Sequence, residues 1–159
     1  MEPVEAWVRA YGLQPHPEGG SFSESYTASD ALAGGRSIAG SIYFLLRGEE
    51  ISHLHQIDCE EVWFYHAGGG LIVTVIDPAS GNVTRLPLGP DVGAGQRFMV
   101  VVPKGMLFAS ENLDKGSATL VSCVTAPHFD YAGFRLVGRA ELARVCPARA
   151  EELSYLVLE

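Results

Sequence analysis

The sequence predicts an all-β fold, an antiparallel sandwich or barrel with short flanking helices. Gly and Pro, at 18 and 9 of 159 residues, exceed their usual combined share of about 12%, which indicates frequent turns. Short strand-like runs follow one another between residues 20 and 126. No helical pattern alternates with them, as a parallel sheet would require. A chain of this length typically forms one domain, so we expect residues 1–159 to form a single domain with its barrel over about 13–135.

A short helix is predicted first, because Val4, Trp7, Val8 and Tyr11 recur at helical spacing and Gly12 can end the helix. The predicted strands then follow in order: Gly20–Tyr26, Ser37–Leu46, Ile51–Ile57, Glu61–His66, Leu71–Asp77, Val83–Leu88, Arg97–Val102, Met106–Ser110 and Ala118–Ala126.

Turn chemistry supports the division into strands. Residues 77–82 read Asp-Pro-Ala-Ser-Gly-Asn, which favours a hairpin between the two flanking strands. Residues 28–36 are small and polar with a Gly-Gly pair, which is typical of a loop. Helical spacing returns at Arg139–Val145 and Ala148–Leu156, on either side of Pro147.

Composition narrows the partners and the compartment. The formal net charge is −8, and the only lysines are Lys104 and Lys115, so we expect no nucleic-acid partner. Three widely spaced cysteines give neither a disulfide framework nor a Cys-type zinc site. The apolar runs are far shorter than the roughly 18 to 20 residues that span a bilayer, and the first residues do not look like a secretory signal. We therefore expect a cytoplasmic protein without a membrane partner.

A histidine pair is the main candidate for chemistry. His53 and His55 lie two residues apart on a predicted strand, so period-two alternation places both on one face, and Glu61 follows a short turn. Two imidazoles and a carboxylate suit Fe, Mn, Ni or Zn as divalent ions and leave open positions for substrate. The same residues could instead line a polar cavity by hydrogen bonding. His55 and Glu61 are the predicted catalytic residues, and His53, His55 and Glu61 the predicted metal ligands.

Neighbouring side chains supply the predicted ligand-binding wall. Phe22 and Glu24 alternate on the first predicted strand, and Trp63 shares a face with Glu61. We expect both sets, with Tyr43, to line the pocket. His16 and Glu18 lie in a turn rich in Pro and Gly, where they either satisfy the backbone of a rigid connection or lie at the pocket rim.

Longer stretches of the chain carry a family resemblance. Gly48, the His53-Leu54-His55 triplet, Glu61 and Gly68 resemble the first cupin motif, and Gly95 with Pro103-Lys104-Gly105 resembles the second. The second motif's histidine is replaced by Phe108. The stretches that together resemble the DUF985 (cupin 5) family are Leu13–Gly20, Ser41–Leu46, Glu61–Trp63, Val102–Gly105 and Ala126–Pro127.

This resemblance implies an antiparallel cupin jelly-roll barrel that binds a small molecule in its cavity, with a divalent metal as the expected cofactor. It also implies a homodimer, since members of the family resemble dimers. The resemblance further suggests that Ser52 and His55 are the residues generally kept in this segment, while His53 varies.

Several functions are compatible with such a cavity. The first hypothesis is an isomerase or epimerase acting on a sugar-like or keto-acid-like metabolite. His55 or Glu61 would remove a proton next to a carbonyl, and a metal or Tyr43 would stabilise the enediolate. A metal-dependent dioxygenase is one alternative. A non-enzymatic binding or sensor protein is another, which Phe108 favours, and a structural or storage role is the third.

Overall fold

Two antiparallel sheets pack against each other in the computed structural model, which describes residues 3–159. The sheet orders are β1-β2-β3-β10-β5-β8 and β11-β4-β9-β6-β7. The strands are β1 Gln14–Pro15, β2 Ser21–Thr27, β3 Gly40–Arg47, β4 Ile51–Gln56, β5 Glu60–Gly68, β6 Leu71–Ile76, β7 Val83–Leu88, β8 Met99–Val102, β9 Leu107–Asn112, β10 Ala118–Ala126 and β11 Arg135–Leu136.

Three short α-helices flank the sheets: α1 Val4–Tyr11, α2 Arg139–Val145 and α3 Ala150–Leu153. The last continues into a 3₁₀ turn, Ser154–Leu156, so the predicted helix at 148–156 is shorter and divided. Helix α1 ends at Gly12, whose φ of 61° is left-handed, as its position in the sequence predicts. Of the helices in the described part of the chain, none is long and apolar enough to cross a membrane.

The predicted all-β antiparallel architecture is confirmed. Each of the nine predicted strands corresponds to an observed one, and β1 and β11 are additional two-residue strands. The turn at residues 77–82 joins β6 to β7 as predicted, with Ile76 opposite Val83. Within that turn Asp77 Oδ1 accepts a hydrogen bond from the Ala79 N–H at 2.9 Å.

The core lies between the sheets and extends under the C-terminal helices. Phe44, Trp63 and Phe108 are almost completely buried between the sheets. A second cluster joins Leu54 and Leu107 to α2 and α3. Apolar side chains therefore pack between the sheets, and two of them, Phe44 and Trp63, also line a cavity that contains several polar side chains.

Candidate active site

The turn between β1 and β2 brings Glu18 against β4. Gly19 has a φ of +108°, and a Cβ added there would lie 2.0 Å from the Ile51 carbonyl oxygen. Only glycine allows both this backbone conformation and this close approach. Gly19 therefore permits the turn to lie directly on β4, and Gly20 packs on β3, where an added Cβ would lie 2.9 Å from the Leu45 carbonyl oxygen. Together these contacts place the Glu18 carboxyl in the interior.

Glu18 is held by four groups of β4 although it lies in a turn. Ser52 Oγ donates to Glu18 Oε1 at 2.9 Å, and His55 Nε2 lies 3.0 Å from Glu18 Oε2. The Glu18 carbonyl accepts hydrogen bonds from the backbone N–H and from Nδ1 of His53, both at 2.7 Å. The Glu18 side chain is thus fixed in one orientation, as a functional carboxyl requires.

An irregularity in β4 decides which side chains meet Glu18. Ser52 pairs with Ser110, whereas His55 pairs with Phe108, so the register shifts by one residue between them. Such a bulge re-aims side chains and breaks period-two alternation. Ser52 and His55 consequently face the same side, and the expectation that His53 and His55 share a cavity is wrong. His53 is not among the cavity-lining residues; its ring supports the Glu18 backbone.

Hydrogen-bond partners determine how protons are distributed on His55. Its Nδ1 lies 2.7 Å from the His53 carbonyl oxygen, which can only accept, so Nδ1 carries a proton. Burial lowers the pKa of His55 to about 4, and burial also raises the pKa of Glu18. Both directions favour an uncharged pair. The Glu18 carboxyl then donates its proton to His55 Nε2, so the contact between the two side chains holds one proton.

Glu61 provides a second buried carboxyl in the same cavity. It lies on β5 between Val102 and Thr125 of the neighbouring strands and is 8% exposed. Burial, and next the nearby Glu18 carboxyl, raise the pKa of Glu61 to about 8. This value lies in the range that suits a general acid or base near neutral pH.

The remaining wall contains several of the residues that the sequence analysis selected. His16, Phe22, Glu24 and Trp63 line the cavity together with His55 and Glu61, and Glu24 lies at its exposed edge. Its free volume is about 60 Å³, enough to hold more than one water molecule. Glu18, for which the sequence left a rigid connection and a pocket rim as alternatives, also lines the cavity. The wall is completed by residues that the sequence analysis did not select: Ile42, Phe44, Ile57, Cys123, Thr125, His128, Phe129 and Tyr131 among others.

Tyr43 is not part of this wall, and its predicted role is corrected. Its ring lies 4.3 Å from the ring of Tyr11 on α1 and 5.9 Å from that of His66. Ile42 and Phe44 face the cavity instead. Tyr43 therefore belongs to the outer surface of its sheet, where it packs under α1, and it cannot stabilise an enediolate inside.

The expected metal ligands do not form a ligand set. Across residues 3–159, no group of three or more His, Cys, Asp or Glu side chains is arranged to hold a metal ion. His55 has both ring nitrogens engaged, and His53 bonds the Glu18 carbonyl. His16 Nδ1 accepts the Glu18 N–H at 3.2 Å. The Phe108 ring packs against the His55 ring with a centroid distance of 4.0 Å and a tilt of 49°. This donor arrangement suits proton transfer better than coordination.

Glu18 and Ser52 are the functional candidates that residue spacing did not identify. They lie 34 residues apart in the chain, so their contact is a tertiary one. The signal that could have identified Glu18 is the pair Gly19-Gly20 directly after it. Two successive glycines with positive φ, at 108° and 75°, indicate a backbone that must approach another element closely.

Comparison with known proteins places this architecture. The profile of the family described as "Cupin superfamily (DUF985)" matches residues 5–137. A crystal structure of a protein from Shewanella oneidensis shares 34% identity and a TM-score of 0.92, covering 99% of both chains. A hypothetical protein from Leishmania major shares 32% identity with a TM-score of 0.88, covering 99% of this chain and 100% of its own. No curated protein matches the chain.

More distant structures share the fold alone. Oxalate decarboxylase from Bacillus subtilis is 18% identical with a TM-score of 0.58, and the match covers 89% of this chain and 36% of the enzyme. A cupin-2 domain from Rhodospirillum rubrum is 12% identical with a TM-score of 0.60, covering 90% of this chain and 82% of that one. These similarities support a jelly-roll arrangement of the two sheets.

Proposed function

Because the chain belongs to the DUF985 (cupin 5) family of the cupin superfamily, whose fold encloses a cavity between its sheets, we propose that it is a small-molecule enzyme. It acts on a small polar carbonyl compound in the cavity as an acid–base isomerase or epimerase. The observation that carries this proposal is the one-proton contact of Glu18 with His55 beside the buried carboxyl of Glu61. Enolisation requires one group that donates a proton and another that accepts one, and a protonated Glu18 beside a Glu61 that can ionise supplies both.

Glu61 is the base in this mechanism. Once ionised, its carboxylate removes a proton from the carbon next to the substrate carbonyl. Burial supports this role, because a carboxylate whose pKa is raised to about 8 is a far stronger base than an exposed one.

The Glu18–His55 pair is the acid. Its single proton, held on Glu18 Oε2 against His55 Nε2 at 3.0 Å, passes to the carbonyl oxygen as the enediol forms. The Ser52 hydroxyl on Oε1 stabilises the carboxylate left behind. When Glu61 returns its proton to the adjacent carbon and the other hydroxyl of the enediol gives its proton to Glu18, the carbonyl has moved by one carbon. Glu61 is then a carboxylate again and Glu18 is protonated again.

The surrounding side chains hold the substrate and limit access of water. Phe22 and Phe44 contact the His16 ring at centroid distances of 4.6 and 6.1 Å, and Phe129 and Tyr131 also line the cavity. An apolar wall around a few polar groups is typical of small-molecule sites. Excluding water also strengthens the electrostatic interactions of the two carboxyl groups.

Deuterium exchange tests this function without knowledge of the final product. The protein is incubated in D₂O with a panel of small α-hydroxy and α-amino carbonyl compounds, and loss of the α-proton signal is followed by NMR. Wild type is expected to exchange the α-proton of at least one compound, with a rate that rises with pH through the pKa of Glu61, since the base must be ionised. Glu61→Gln and Glu18→Gln are expected to abolish this exchange.

Glu60→Gln is the matched control, because Glu60 is the exposed neighbour of Glu61 on β5. Wild-type rates are expected in this variant. If exchange persists in Glu61→Gln and Glu18→Gln, the assignment of base and acid is wrong. If no compound exchanges with wild type, the protein is not an enolising enzyme.

A binding protein without catalysis is the second candidate. The observation that favours it is Phe108, which packs on His55 at the position of the second motif's histidine. Saturation-transfer NMR that detects a ligand in the cavity, together with absence of α-proton exchange in that ligand, would support this candidate over the enzyme.

We further propose that the protein is a cytoplasmic homodimer. Strand β8 lies at the edge of the six-stranded sheet and exposes Met99 and Val101, beside the exposed Phe98. Exposed apolar edges favour pairing with another chain. The buried free thiols of Cys59, Cys123 and Cys146 are consistent with a reducing compartment. Light scattering after size exclusion tests the dimer, and a stable monomer would contradict it.

A further inference from the structure

We infer that the cavity binds a small organic ammonium compound with an oxygen atom near its nitrogen, an amino alcohol or amino carbonyl. The inference rests on the proposed function, since it names the ligand class of the same cavity. It is carried by the charge of the cavity wall, by a buried acid that lacks a cation, by aromatic side chains and by one unpaired donor.

The charge of the wall excludes acids as preferred ligands. Glu18, Glu24 and Glu61 line the cavity, and among residues 3–159 the lining includes neither Lys nor Arg. Arg36 lies close to the cavity mouth, but its guanidinium bonds both Asp58 carboxylate oxygens, at 2.9 and 3.0 Å, and the His128 carbonyl, at 2.6 Å. A carboxylate or phosphate would therefore find no free cationic partner here.

Glu61 is the acid that lacks a cation. It is only 8% exposed, and no salt bridge within the described part of the chain involves it. Ionising a buried carboxyl without a counter-charge costs several kcal/mol. An ammonium group in the cavity would supply that counter-charge, so binding of the ligand and ionisation of Glu61 favour each other.

Aromatic side chains complete the recognition of a cation. Phe22, Trp63, Phe129 and Tyr131 line the cavity, and the rings of Phe129 and Tyr131 pack edge to face at 4.9 Å. Ring faces attract ammonium groups, and carboxylates add to this attraction. The exposed Tyr131 lies at the entrance, where it can meet the cation first.

Trp63 indicates the oxygen of the ligand. The residue is 1% exposed, and its buried Nε1–H has no hydrogen-bond partner. The Glu61 carboxyl lies close enough for the indole N–H to lower the pKa of Glu61, but the two groups do not form a hydrogen bond of standard geometry. A buried unpaired donor is costly and indicates a missing acceptor. A hydroxyl or carbonyl oxygen next to the ammonium group would fill this position.

Three probes of similar size and different charge test the inference: serinol is a cation, glycerol is neutral and glycerate is an anion. The protein has two tryptophans, so a Trp7→Phe variant assigns the Trp63 indole signal in ¹H–¹⁵N spectra. Serinol is expected to shift that signal at concentrations about tenfold lower than glycerol, and glycerate is expected to leave it unchanged.

Variants of adjacent acids show whether the preference arises in the cavity. Glu61→Gln is expected to reduce the affinity for serinol to that for glycerol. Glu60→Gln is expected to keep the wild-type preference for serinol. Stronger binding of glycerate or glycerol than of serinol would overturn the inference and leave the acid–base mechanism standing. If no probe shifts the Trp63 signal while α-proton exchange is observed, the inference is likewise overturned and the acid–base mechanism stands. If α-proton exchange fails while serinol binds, the proposed function fails and the ligand class remains.

Discussion

Replacing Glu61 by glutamine should make the protein more stable, and the gain should grow with pH. Burial raises the pKa of Glu61 from 4.5 to about 8 in the folded protein, whereas the unfolded chain keeps the ordinary value. Between these two values the unfolded state loses its proton first, so its free energy falls relative to that of the folded state. The stabilising contribution is complete below about pH 4.5 and is lost as pH rises through the folded-state pKa.

The size of the effect follows from the two pKa values. Each tenfold difference in an ionisation constant corresponds to about 1.4 kcal/mol, so the loss between about pH 5 and about pH 8 is on the order of 3.5 kcal/mol. Glutamine has the shape of the protonated acid and cannot ionise. The difference in free energy of unfolding between Glu61→Gln and wild type should therefore be larger at about pH 8 than at about pH 5, by on the order of 3.5 kcal/mol.

Urea denaturation followed by circular dichroism at both pH values measures this difference. The comparison of two variants cancels every group that titrates equally in both, and Glu60→Gln, with its exposed carboxyl, should follow wild type. If wild type and Glu61→Gln show the same pH dependence, Glu61 ionises with an ordinary pKa. The base proposed for the cavity would then lack its physical basis.

Three further substitutions test how the site is built. Gly19→Ala should lower the free energy of unfolding by on the order of 3 kcal/mol, because the added Cβ would lie 2.0 Å from a β4 carbonyl oxygen. Gly34→Ala, also at positive φ but with nothing within 4 Å, should cost only about 1 kcal/mol; equal losses would show that the turn does not pack as described. Glu18→Gln should preserve stability within about 0.5 kcal/mol, since the amide can donate to His55 Nε2 as the protonated acid does. Glu18→Ala should cost about 2 kcal/mol. A large loss of stability in Glu18→Gln would indicate that Glu18 and His55 form an ionised pair. Tyr43→Phe should leave α-proton exchange unchanged, and a loss of exchange would contradict its placement on the outer surface.

The overall fold could be predicted from local signals. Turn residues such as Asp77 and Gly81 mark the ends of strands, and glycines accept the positive φ that turns require. The helix α1 was equally legible, because its apolar residues recur at helical spacing and Gly12 ends it. These features depend on a few neighbouring residues, so the sequence carries them directly.

The facing of individual side chains could not be predicted in the same way. On β3 the run Ile42-Tyr43-Phe44-Leu45-Leu46 is apolar throughout, because α1 covers the outer surface of the sheet while the inner surface faces the cavity. The strand therefore lacks the alternation of apolar and polar residues that would show which side chains face inward. For this reason the sequence does not show which surface of the sheet carries Tyr43. On β4 the bulge between Ser52 and His55 shifts the inward and outward alternation of side chains by one residue. No local sequence pattern indicates this shift.

Only part of the candidate site could be predicted from the sequence, for a related reason. His55 and Glu61 lie on strands that could be identified, and their polar character in an apolar context marks them. Glu18 reaches them from a distant turn, through contacts set by the packing of Gly19 on β4. Such a contact depends on tertiary structure, so spacing along the chain could not connect these residues.

The location of the proton between Glu18 and His55 is the most direct test of the account. ¹⁵N NMR of protein labelled at histidine, with His55→Gln used to assign the signals, reports the protonation of each ring nitrogen. From about pH 5 to about pH 8 we expect His55 to stay neutral, with its proton on Nδ1 toward the His53 carbonyl and with Nε2 accepting from Glu18. A doubly protonated ring in this range, or an Nδ1 without a proton, would contradict the arrangement on which the acid–base centre depends.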